Sequence, residues 1–212
     1  MRFFPASFAV ISVAVLGLYA QTQSTEIKGM PPRSNPADYQ AHAQAGAVTI
    51  AAEFMGHSIP RPEGPLATED YVVIETGLFG PPDARLKLSV EDFALRINDK
   101  KTPLTSQPYG FILSSVKDPE WAPPAPPGQK SKTSFGSGGR DANAPPPVVH
   151  VPIELQRAMA QYVQKAALPE GDRALPEAGL IFFPYRGKPQ SIHSIELIYS
   201  GPAGRVTLTL QP

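Results

Sequence analysis

No cysteine occurs anywhere in the 212 residues. That absence excludes disulfides, thiolate zinc sites, iron–sulfur clusters, thiol nucleophiles, the ordinary blue-copper ligand set and acylation on cysteine. An excess of charge is missing too: 19 basic and 19 acidic residues cancel. No cluster of Lys and Arg supplies what phosphate neutralisation requires, so nucleic acid is not an expected partner. Tryptophan is nearly absent, Trp121 being the single copy. Stability must come from burial, for which a 42% hydrophobic content suffices.

Proline is abundant instead, with 26 copies beside 17 glycines, which points to an ordered β-rich core carrying proline-rich loops. Residues 1–20 read as a signal peptide: Arg2 is the positive start, Phe8 to Leu18 is almost wholly apolar, and Ala20 is the small residue expected before cleavage at Gln21. The apolar run is short for a membrane span of ~20 residues. An uncleaved N-terminal anchor is the alternative, and with it a membrane attachment. The expected destination is therefore periplasmic or secreted.

Residues 21–45 are polar and small around Met30-Pro31-Pro32-Arg33, the composition of a flexible linker. A single domain is expected over 46–212. Val48, Ile50, Ala52 and Phe54 alternate along a first strand, and Tyr71 to Phe79 is apolar on both parities, as in a strand buried on both faces. Between Arg85 and Leu104 the sequence predicts a hairpin with a change of phase. Leu86, Leu88 and Val90 share one parity and Phe93, Leu95 and Ile97 the other, so Glu91-Asp92 marks a bulge or a crossing between sheets. Asn98 to Lys101 is a polar reversal, and Gly110 to Leu113 a short strand. The C-terminal stretch from Gly179 to Gln211 reads as a meander of three strands separated by Pro- and Gly-rich turns.

Residues 117–147 carry Pro123-Pro124-Ala125-Pro126-Pro127, Gly136-Ser137-Gly138-Gly139 and Pro145-Pro146-Pro147, a disordered Pro/Gly-rich insertion. A helix follows over 153–167, where Leu155, Met159, Tyr162 and Ala166 recur at helical spacing. Its narrow stripe suits a helix lying on the domain's surface.

Chemistry-bearing residues are sparse. His42, His57, His150 and His193 lack the spacing that brings zinc ligands together. Met55-Gly56-His57 puts a thioether two residues from an imidazole, a pair able to hold copper outside the cytoplasm. Ser137 lies in no nucleophile elbow, Gly136 to Gly139 lacks the Lys and helix of a phosphate loop, and Glu69-Asp70 and Glu91-Asp92 point to opposite sides of extended chain. No catalytic, cofactor or metal residue is assigned.

Tyr71-Val72-Val73-Ile74-Glu75, then Phe93 to Lys101 as a strand entering a hairpin, then Gly179-Leu180-Ile181-Phe182-Phe183 and Ile195 to Tyr199 before a last strand together resemble the small immunoglobulin-like domains of exported bacterial proteins of uncharacterised function. The resemblance implies an immunoglobulin-like β-sandwich with one accessory α-helix, and an extracytoplasmic binding or structural role rather than an enzyme. The expected partner is another envelope protein, met through a sheet edge or the 117–147 loop. A copper-handling protein using Met55 and His57, and an enzyme with an unrecognised site, are the alternatives.

Overall fold

The computed structural model describes residues 29–122 and 151–212. The signal segment, the start of the linker, His150 and most of the Pro/Gly-rich insertion lie outside the described residues. The described chain is mostly β, with several antiparallel sheets and two helices.

In chain order come β1 (Ala41–Ala45), β2 (Val48–Phe54), the short β3 (Ser58–Ile59) and β4 (Leu66–Thr68), and the long β5 (Tyr71–Phe79). Next are β6 (Arg85–Leu88), β7 (Phe93–Ile97), β8 (Leu104–Thr105), the helical turn α1 (Tyr109–Ile112) and β9 (Val116–Lys117). After the insertion come α2 (Ile153–Ala166), β10 (Gly171–Ala174), β11 (Glu177–Pro184), β12 (Ile195–Gly201) and β13 (Gly204–Leu210). Two four-stranded sheets dominate, ordered β1-β2-β5-β11 and β13-β12-β7-β8. A β10-β6 ribbon and a β3-β4-β9 sheet complete the set among the described residues.

Strand β5 explains the layering. Its Val72, Ile74 and Leu78 join a large core with Leu95 and Ile97 of β7, Leu197 and Tyr199 of β12 and Leu208 of β13, so side chains of both large sheets meet in one cluster. Its alternate residues face the other way. Val73 joins a second cluster with Met159, Val163 and Ala166 of α2, Ile59, Leu66, Ile112 and, from β11, Leu180 and Phe182. A strand apolar on both parities is thus buried on both faces, as its sequence predicts. Burying each of the larger of these side chains contributes roughly 1.5–3 kcal/mol.

The phase change at Glu91-Asp92 is a 3₁₀ turn, Val90–Asp92, capped by Ser89 Oγ accepting from the Glu91 N–H at 3.2 Å. There the chain passes from the β10-β6 ribbon to the β12-β7 pairing. The β7–β8 reversal takes Asn98 and Asp99 through the left-handed region, at φ 53° and 55°, which their short polar side chains tolerate.

Four expectations are corrected. The C-terminal meander is split: β12 pairs with β13, but β11 pairs with β5 in the other sheet. The reason lies in the Leu180-Ile181-Phe182-Phe183 run, which is apolar on both parities and seeks two covered faces, whereas the later strands alternate. Gly110 to Leu113 is helical, because Pro108 opens a turn and Tyr109, Ile112, Leu113 and Val116 meet the second cluster at helical spacing while Phe111 points outward, 66% exposed. Structure begins well before Gly46. The Met30 N–H donates to Ala178 O at 2.9 Å, Pro36–Asp38 forms a 3₁₀ turn, Tyr39 is buried, and β1 starts at Ala41. Likewise 117–122, expected as part of the insertion, holds the end of β9 and a turn in which the Trp121 N–H donates to Asp118 O at 3.2 Å.

Candidate functional site

The outer face of the β1-β2-β5-β11 sheet carries two covers. One is α2, whose Met159, Val163 and Ala166 sit on the buried side at i, i+4 and i+7. The other is the strap 29–40.

Arg33 clasps that strap. Its Nε donates to Glu75 Oε1 at 3.1 Å and its Nη2 to Glu75 Oε2 at 2.8 Å, a two-pronged contact. Nη1 bonds Asp38 O at 2.6 Å and also pairs with Glu53. The guanidinium carbon lies 4.5 Å from the centre of the Tyr39 ring. Hydrogen bonding to Glu75 outweighs desolvation and raises the arginine's pKa above its ordinary value. Burial raises the Tyr39 phenol as well. The ring rests over Gly77, where a Cβ would lie 2.6 Å from the tyrosine oxygen. Only glycine leaves that room.

Where the strap's start passes the end of α2, an open groove of about 410 Å3 forms between Met30 and Pro31, the Pro60–Pro62 loop, and Tyr162, Lys165 and Ala166. Its wall is almost all carbon. The Tyr162 hydroxyl donates to Pro60 O, and burial raises its pKa, with Glu63 adding to the rise and Arg61 opposing it. Arg61 is held by two groups: Nε donates to Gly64 O at 2.5 Å and Nη2 to Asp118 Oδ2 at 2.7 Å. That ion pair is well covered, with side chains 13% and 10% exposed, and the guanidinium holds the Asp118 carboxyl below its ordinary value.

A second cavity, about 550 Å3 and more polar, lies among Asp70, Tyr71, Lys100, Tyr185 and Arg186. Asp70 pairs there with the exposed Arg186 at 2.8 Å. Beside it, His57 Nε2 lies 3.1 Å from Gly187 O and the ring leans on Tyr185, while Nδ1 is buried without a partner among the described residues.

The sequence-predicted candidates do not gather. Met55 packs against the second cluster, and His57 engages backbone. His42 on β1 and His193 are exposed. No group of three or more His, Asp or Glu side chains able to share an ion occurs among the described residues. Glu69 pairs with Lys117 at 2.6 Å and Asp70 with Arg186, so the adjacent acids diverge. Asp92 has its pKa raised, first by burial and then by Glu91.

Sequence reasoning missed the strap and the groove. Arg33 and Tyr39 in an otherwise small, polar stretch were the only local signal for the first. The groove draws on three distant segments, Gly29–Pro31, Pro60–Pro62 and Tyr162–Ala166, and had none. No family model, curated protein or solved structure matches this chain.

Proposed function

We propose that this chain is an exported, non-enzymatic binding or structural module of the bacterial cell envelope, an immunoglobulin-like β-sandwich that meets its partner at the apolar groove beside α2. The groove itself is the observation that carries the reading: three prolines or apolar segments from distant parts of the chain converge on it, and about 410 Å3 is within the range of pockets that bind small ligands. Catalysis requires reactive groups facing the ligand, and this lining offers carbon, a hydroxyl already committed to Pro60, Arg61 already paired with Asp118, and Lys165.

Strand addition is less favoured as the mode of contact. The β1 edge runs beside β13, with Gln40 Nε2 donating to Gln211 O at 3.0 Å. The β11 edge accepts at Phe182 O from the Gln107 N–H (2.8 Å) and at Leu180 O from the Leu168 N–H (3.0 Å). The β11 edge, engaged in this way, presents few free backbone groups to a visiting strand, and the β1 edge is flanked by β13.

Hydrogen exchange on the chain lacking residues 1–20, alone and with envelope extract, tests the reading. Protection gained at Met30, Arg61 and the last turn of α2 is expected. Protection confined to another surface, or none, overturns it.

A further inference from the structure

Resting on the groove as the contact site, we infer that it takes the hydrocarbon tail of a single-chain anionic amphiphile, with the acid group at Lys165.

The lining selects against peptide. Each residue of a bound peptide brings an N–H and a C=O that must be paired once water is excluded. Pro31, Pro60 and Pro62 have no N–H to give, the Met30 N–H is spent on Ala178 O, and Pro60 O is taken by the Tyr162 hydroxyl. A hydrocarbon tail makes no such demand. Its gain is the burial of carbon against Met30, the proline rings, the Tyr162 ring and Ala166.

Charge then decides the headgroup. Arg61 also lines the groove, but Asp118 neutralises it and Gly64 O occupies its Nε. Glu63 lies close enough to affect Tyr162 without lining the groove. Lys165 lines it, is exposed, and has no ion pair among the described residues. One unneutralised ammonium at the mouth of a carbon-walled groove complements a carboxylate or phosphate joined to a tail. An open groove of this volume suits one chain taken from solution.

Calorimetric titration of dodecanoate, below its micelle concentration, into the chain lacking residues 1–20 tests this. Saturable binding at one site is expected, weakened about fivefold by Lys165→Glu through charge reversal at an exposed rim. A weakening of about tenfold is expected for Pro62→Glu, which removes apolar wall and sets a carboxylate beside the bound anion at an exposed rim. Both positions are exposed, so an unchanged melting temperature confirms the fold of each variant. Dodecanol binding as tightly as dodecanoate overturns the role of Lys165. Affinity unchanged by both variants overturns the site, and retention on phosphatidylglycerol vesicles without dodecanoate binding moves the contact to a membrane surface. No dodecanoate binding, with groove protection by envelope extract intact, sinks the ligand class alone; loss of both sinks the groove.

Discussion

Glu53 of β2 and Glu75 of β5 stand directly opposite each other across the antiparallel pairing. Like charges in that position repel and destabilise a sheet. Here the Arg33 guanidinium reaches both, and the strap that carries it also supplies Met30 and Pro31 to the groove. The ion cluster therefore does more than neutralise a poor cross-strand pair: it fixes one wall of the candidate site.

Arg33→Met should destabilise the fold by about 2–4 kcal/mol, because it leaves the mostly buried Glu75 uncompensated beside Glu53. Adding Glu75→Gln should recover part of that loss. Urea denaturation of the single and double variants measures both. Equal stability of wild type and Arg33→Met would mean that the clasp contributes nothing.

Gly77→Ala should cost about 2 kcal/mol, since its Cβ would press on the Tyr39 oxygen at 2.6 Å and the Phe79 ring at 2.9 Å. In a Tyr39→Ala background the same change should cost less than about 1 kcal/mol, the non-additivity expected of residues in contact. Additive effects in the double-mutant cycle would place the tyrosine elsewhere.

Thr76 is fully buried, and its hydroxyl has no partner among the described residues. Thr76→Val should therefore stabilise the protein by about 1 kcal/mol, as a desolvated hydroxyl is exchanged for a methyl of similar size. A clear loss of stability in thermal unfolding would reveal a hydrogen bond that the valine breaks.

Acid should loosen the loop at the groove. The Asp118 carboxyl is held below its ordinary value near 3.8 by hydrogen bonding to Arg61. A depressed folded-state pKa contributes stability above the ordinary value and loses it as pH falls through the folded one. Between about pH 5 and pH 2 the wild type should lose more stability than Asp118→Asn, and their melting curves should converge. Parallel curves would remove the ion pair from the account.

Legibility in the sequence followed local pattern. Strand β5 and helix α2 could be read because each carries its own periodicity, and the change of phase at Glu91-Asp92 marked a bulge or a crossing between sheets, of which the structure has the crossing. Pairing partners were harder. The Leu180 to Phe183 run says that it wants two apolar faces without saying which strand lies beside it, so its place next to β5 was hidden. Proline around Pro31 and Pro36 suggested a linker, yet proline bars only donors and certain φ values, and a strap needs neither repeated donors nor a regular ladder. The groove is built from residues far apart in sequence, and no window of sequence contains it.

The proposed contact site is the groove, and methionine methyl groups can test it. Three methionines, Met30, Met55 and Met159, remain after Ala20. They report on three places: Met30 lines the groove, Met159 is buried beneath α2, and Met55 lies beside the turn carrying His57. Methyl NMR of the chain lacking residues 1–20, labelled at methionine and titrated with envelope extract, reads them together. The Met30 resonance should move while those of Met55 and Met159 stay. A fixed Met30, with Met55 moving on addition of extract or of Cu(I), would contradict it and favour metal handling at Met55 and His57.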